Sequence, residues 1–286
     1  MPKLLTTLAL LLATMPLAGC SPGGSSSAQV LTTTTILADM ARQVAGDRVT
    51  VGSIVPAGAH VEEYEPRPDD AKRMSRASLV ITNGRDLDKW VEPLLRNARS
   101  GTPVVVVTDG LRDINGNPHL WFDPALARAY VSKIRDAFIA LDPQGKEPYT
   151  VSALKYSSEL LTLEVELKAK VATIPPDRRK LVTSHDAFPY FASAFGFEIV
   201  GFAQPEPGKM PSAGELADLV DKVKTAKVAA VFSEAGASPQ LAETIAKETG
   251  AKVVTDLPTD SLLDPPADTY VGLMRLVVDK IVAVLK

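Results

Sequence analysis

Short β-branched apolar runs alternate with longer segments of helical period along most of the chain. The runs cover residues 30–35, 49–55, 77–82, 103–108, 180–183, 198–202, 228–232 and 252–255. Continuous apolar stretches of this length read as strands buried on both faces. Between them, residues 36–44, 69–78, 87–98, 125–141, 186–195, 213–225, 238–249 and 269–285 carry apolar side chains at helical spacing. Strand alternating with helix predicts an α/β fold with parallel sheets.

The pattern repeats weakly. Leu31-Thr-Thr-Thr-Thr35, a helix, Gly46 and then residues 49–56 resemble Leu181-Val-Thr-Ser184, a helix, Gly196 and then residues 198–205. Two similar halves follow, at residues 29–145 and 175–286. Between them lies the stretch 146–174, polar on one side and apolar on the other, free of Gly and Pro from Tyr149 to Thr173 and closed by Pro175-Pro176. It reads as one long helix. A single helix between the halves limits hinge motion, because hinges need loop residues that absorb dihedral change.

The first residues stand apart from this alternation. Lys3 precedes a nearly unbroken apolar run over 4–15, too short to span a membrane. Leu17-Ala-Gly-Cys20 follows, the pattern of a bacterial lipoprotein signal over 1–19 whose removal leaves Cys20 as a lipid-bearing N-terminus. Cys20 is the only cysteine, so a thiol partner is lacking and a disulfide framework is excluded. The Ser, Pro and Gly residues up to position 27 have nothing to bury, and 20–28 reads as a flexible tether. The expected location is extracytoplasmic, anchored to the bacterial cell membrane on its outer face or in the periplasm.

Composition changes little. At 45% hydrophobic and 23% charged, with a net charge of -3, the balance is that of an ordinary globular protein. No basic stripe or aromatic-rich strand points to nucleic acid.

The candidate chemistry lies in three histidines, His60, His119 and His185, each after a strand-like run and before a helical one. Ligands of open α/β sheets bind at the carboxyl ends of strands, so three imidazoles placed there can converge. Asp123, just beyond His119, is available to orient its ring, as ligating histidines require. Asp186, after His185, stands at a cap-like position. Nearby carboxylates are Glu62, Glu63 and Glu65 in one loop and Asp256 and Asp260 in another.

Five segments carry a resemblance: Val55-Pro-Ala-Gly58 with Glu63-Tyr-Glu-Pro66, Asn117-Pro-His-Leu-Trp-Phe-Asp-Pro124, the run from Pro175 through His185 to Phe188, and Thr259-Asp-Ser-Leu262. From about Val30 to the C-terminus the sequence resembles the cluster A-I, metal-binding-lipoprotein family of ABC-transporter solute-binding proteins. The resemblance implies an α/β fold of two Rossmann-like lobes with parallel sheets, joined by one long rigid backbone helix. It implies one divalent transition metal held between the lobes by four side chains, and delivery to an ABC permease in the membrane. No enzyme activity, no nucleic acid and a monomeric state are expected.

Carried over by position, His119, His185 and Asp260 take the second, third and fourth ligand places. The first departs from the pattern. Where the family usually reads Asp-Pro-His-Glu-Tyr-Glu-Pro, this chain reads His60-Val-Glu-Glu-Tyr-Glu-Pro66. Glu62 occupies the histidine's place, and His60, two residues earlier, is the alternative if the loop shifts. Glu62 is preferred, since carboxylate oxygen and imidazole nitrogen reach a metal at similar distances. A shell of Glu62, His119, His185 and Asp260 is oxygen-rich, which suits Mn2+, whereas His60 would favour Zn2+. The short segment between Gly110 and Pro118, without a histidine-rich loop, leans toward Mn2+ as well. Competing readings are a metal-dependent hydrolase, with Glu63 or Glu234 as base, and a surface adhesin.

Overall fold

The computed structural model describes residues 28–204 and 209–286. The expected leader, the expected lipidation site Cys20 and the expected tether lie outside the described residues, apart from Ala28 at the tether's end. Among the described residues no helix is long and apolar enough to cross a membrane.

The first half builds a parallel sheet from β1 (Ala28–Thr32), β2 (Val49–Ser53), β3 (Leu79–Thr82) and β4 (Val104–Val106), in the order β2-β1-β3-β4. Val30 pairs with Val51 on one side and Leu79 on the other, so β1 is central and its Val30 and Leu31 are fully buried. The second half pairs β5 (Lys180–Thr183) with β6 (Glu198–Phe202) and β7 (Ala230–Glu234) with β8 (Lys252–Leu257), both parallel, with β5 lying beside β7. The helices are α1 (Thr35–Ala45), α2 (Pro68–Met74), the one-turn α3 (Glu92–Leu95), α4 (Pro124–Leu141), α5 (Lys146–Val171), α6 (Pro189–Phe195), α7 (Ala213–Ala226), α8 (Gln240–Thr249) and α9 (Tyr270–Leu285).

The long linking helix is α5, 26 residues or about 39 Å. Tyr149, Ala153, Tyr156, Leu160, Leu163, Leu167 and Val171 recur every three or four residues and bury one face against α1, α4 and α9. The opposite face is less polar than its pattern predicts: Val151, Leu154, Leu161 and Val165 are all more than half exposed. One contiguous core runs from β1 through α1, α4 and α5 to α9. It includes a stacked pair, Phe122 and Phe188, with ring centroids 4.6 Å apart, so both halves rest on shared aromatic packing.

Two expected elements differ. The helix predicted over 87–98 breaks into a 3-10 turn at Lys89–Val91 and the single turn of α3, where Pro93 leaves no amide to continue the ladder. Asp186 caps no helix: α6 starts three residues later at Pro189, because the residue before a proline is held out of the helical region.

Candidate metal centre

Strand ends supply most of the site. His185 follows β5, Glu234 ends β7, Asp260 follows β8, and His119 enters from the first half at the start of a 3-10 turn over Leu120–Phe122. The side chains of His119, His185 and Asp260 are nearly inaccessible, while Glu62 is about one-fifth exposed.

Each imidazole has one nitrogen committed. Asn117 Oδ1 accepts from the His119 backbone N–H and from its Nδ1, each at 3.0 Å. Asn117 Nδ2 donates to the Asp186 carbonyl at 2.6 Å, which fixes the amide so that its oxygen faces the ring. Asn117, not Asp123, therefore orients His119. Asp123 instead caps α4, accepting from the Ala125 amide at 2.8 Å. On the other side, Glu234 Oε1 lies 2.7 Å from His185 Nδ1 and also accepts that residue's backbone N–H at 3.0 Å. Thr259 Oγ1 donates to Glu234 Oε2 at 3.2 Å, so both oxygens of this buried carboxylate are used.

Both Nε2 atoms then point inward, 3.1 Å from one another. Asp260 Oδ1 lies 3.3 Å from His119 Nε2 and Asp260 Oδ2 3.7 Å from His185 Nε2. Glu62 Oε1 is 3.9 Å from His119 Nε2. Asp260 Oδ1 is buried without a well-oriented hydrogen bond, which costs free energy unless a cation meets it. With both imidazoles neutral, two lone pairs and two carboxylates converge here with no donor among them, and such a set draws in positive charge. Protonation of the protein alone reflects this. Burial pushes the His185 imidazole down, but Asp260, Glu234 and Glu62 together lift it to about 10. The Glu62 carboxyl is pushed up by burial, with His119 opposing and Asp260 adding to the rise. Asp260 is held below the usual carboxylate range, since His185 and His119 outweigh its burial.

Glu62, His119 and His185 form one trio with donor atoms within 4.8 Å of one another, and His185, Glu234 and Asp260 form a second; His60 belongs to neither. His60 lines a chamber of about 260 Å³ in front of the cluster, with Glu62, Glu63, His185, Glu234 and Asp260. Glu65 lies outside on the surface, and Asp256 is exposed and bonded to its neighbour Thr255. Glu234 was legible only as a possible hydrolytic base. The signal that would have placed it beside His185 is its position at a strand's carboxyl end, where His185 also lies.

The loop of Glu62 is pinned from behind. Trp90 Nε1 donates to the Val61 carbonyl at 2.7 Å, Tyr64 packs edge-on against Trp90 at 5.0 Å, and the Tyr64 hydroxyl donates to Asp70 at 2.7 Å. Gly58 N donates to Ser261 Oγ at 2.9 Å, tying this loop to the Asp260 loop.

Residues 30–284 match the family described as zinc-uptake complex component A, periplasmic (ZnuA). The iron-binding protein YfeA of Yersinia pestis is 32% identical over 283 residues, covering 95% of this chain and 91% of its own. The manganese-binding lipoprotein MntA of Halalkalibacterium halodurans is 32% identical over 280 residues, 93% of each chain. Among solved structures, the Mn-bound periplasmic metal binding protein from Candidatus Liberibacter asiaticus superposes with a TM-score of 0.85 at 32% identity, over 91% of this chain and all of that one. The periplasmic zinc binding protein TroA of Treponema pallidum gives 0.82 at 25% identity, over 91% and 99%. The two-lobed α/β fold is that of these neighbours, and the chain belongs to the ZnuA family of solute-binding proteins.

Proposed function

We propose that this protein is an extracytoplasmic lipoprotein that binds one divalent transition metal between its lobes and delivers it to an ABC importer. The observation that carries the reading is the convergence of His119, His185, Asp260 and Glu62 as lone-pair donors, with Asn117 and Glu234 turning both rings inward. In this reading those four side chains are the ligands and His60 stands outside the shell. Residues 1–19 are the signal, 20–28 the tether lipidated at Cys20, 29–145 and 175–286 the lobes, and 146–174 the link. The molecule acts as a monomer.

Two nitrogens and up to four carboxylate oxygens favour Mn2+ slightly over Zn2+. Relatives named for manganese, iron and zinc support a first-row divalent cation without separating these. Binding is preferred to hydrolysis because the Glu234 carboxylate, which a hydrolase would need as a free base, is spent on His185 and Thr259. The test is a thermal melt with Mn2+, Zn2+ and Fe2+ in turn. Ligand at a hundredfold excess over Kd stabilises the fold by about 2.7 kcal/mol. A melting temperature that none of the three cations moves would sink the proposal.

A further inference from the structure

Beside the chamber in front of the converging groups lies a second depression, a surface groove of about 560 Å³ whose lining includes His60, Glu63, Tyr64, Glu65 and Arg67. His60 and Glu63 are the two residues that line both the groove and the chamber. They border both the solvent-facing groove and the chamber that Glu62, His185 and Asp260 line. Gly236 also lines the chamber beside the imidazole, where a Cβ would lie in ordinary contact, 3.4 Å, with His60 Nε2. Among the described residues neither His60 nor Glu63 makes a hydrogen bond or ion pair, which leaves an imidazole and a carboxylate uncommitted on the lining that groove and chamber share. Behind them, Asp260 Oδ1 supplies the buried oxygen without a hydrogen bond that draws positive charge inward.

One nitrogen and one oxygen suit the same cations as the inner cluster but hold them loosely, because two ligands leave most of the hydration shell in place. His60 is two residues from Glu62 and Glu63 is its neighbour, so one short loop offers outer and inner donors in succession. A cation arriving with its full shell can exchange waters for protein ligands stepwise instead of shedding them together at a buried site. We propose that His60 and Glu63 form an outer coordination pair through which a divalent first-row cation passes, partly dehydrated, to and from Glu62, His119, His185 and Asp260. This rests on the binding reading above. By microscopic reversibility the pair speeds entry and exit equally and leaves Kd nearly unchanged.

The experiment is stopped-flow mixing of the full-length protein with MnCl2 and, separately, ZnCl2. Trp121 fluorescence is the readout, its ring lying 5.1 Å from that of His119. The variants are His60→Ala, Glu63→Gln and the pair together, each checked for an unchanged melting temperature, since both side chains are at least partly exposed. The double variant is expected to slow association and dissociation each by about fivefold or more, within the range of local charge effects on capture, with Kd held within about twofold. Unchanged rates in the double variant overturn the proposal. A tenfold weaker Kd with an intact association rate also overturns it, by making His60 a retained ligand of the inner site. Wild-type protein that binds neither cation overturns the binding reading itself, an outcome distinct from both.

Discussion

His119 Nε2 and His185 Nε2 stand 3.1 Å apart although the two residues come from different halves of the chain. Neither ring can turn away, because Asn117 holds one Nδ1 and Glu234 the other. A proton placed between the rings is bonded to one nitrogen and accepted by the other, and leaves the Asp260 and Glu62 carboxylates to share its charge through space. A divalent cation satisfies all four groups at once. The inward orientation of both rings thus rests on two residues outside the converging set, Asn117 and Glu234.

The first prediction concerns the ligand place where the sequence departs from its family. Glu62 lies 3.9 Å from His119 Nε2, whereas His60 is in neither close trio. Glu62→Ala should weaken metal binding by about tenfold or more, roughly 1.4 kcal/mol, and His60→Ala by less than about twofold. Isothermal titration of both variants with the same cation decides it, and the reverse order would reassign the ligand.

Binding should also release a proton. The His185 imidazole is lifted to about 10 in the protein alone, so it is charged through the neutral range and a metal must displace its proton. Apparent affinity should rise about tenfold per pH unit and level off as pH passes about 10. The metal-free protein shows the opposite dependence. A raised folded pKa gives stability that is complete below the unfolded value near 6.5 and is lost as pH rises toward 10. Titrations at pH 8 in two buffers of different ionisation enthalpy would reveal the proton. Identical heats in both would contradict it.

Much of this was legible beforehand, for reasons that differ by residue. Alternating periodicities predict the strands because buried parallel strands need unbroken apolar runs, and the gap-free stretch after Tyr149 predicts α5 because Gly and Pro are its only strong breakers. His119 and His185 stand out as rare residues at strand ends. What pattern could not reach are the partners chosen in three dimensions. Asp123 and Asn117 flank His119 almost equally in sequence, and only the local turn makes Asn117 the one that meets its ring. Glu234 lies 49 residues from His185, and nothing local links them. The exposed Val and Leu residues on α5 escape a periodicity argument because both faces of that helix carry apolar side chains.

Glu234→Gln isolates the charge of the outer carboxylate from its shape. Gln keeps an oxygen for His185 Nδ1 but loses the negative charge that strengthens the imidazole as a ligand. Losses of this kind cost about 10 to 100-fold in metal affinity. The melting temperature of the metal-free variant should move less than its affinity does. Calorimetry of binding and of unfolding on the same preparation separates the two, and equal affinity in variant and wild type would show that Glu234 only fills space.

The last prediction lies behind His119. Asp88 is almost fully buried, with its carboxyl pushed up by that burial, and it accepts from Thr33 Oγ1 at 2.6 Å, Asn83 N at 2.6 Å and Gly84 N at 3.0 Å. Asn83, so fixed, donates through Nδ2 to the Pro118 carbonyl at 3.0 Å, next to His119, and accepts from the Tyr130 hydroxyl at 3.0 Å. Asp88→Asn replaces one acceptor with an NH2 that must face a donor. An unmet buried hydrogen bond of this kind costs about 1–3 kcal/mol, and at this chain length each kcal/mol lowers the melting temperature by about 2–4 °C. A drop of about 5 °C is expected in the metal-free protein. Because the disturbance reaches Pro118 through Asn83, metal affinity should fall too, by several-fold and not by the loss that removing a ligand brings. Stability lowered with affinity unchanged would show that the chain from Asp88 to His119 carries no strain into the site.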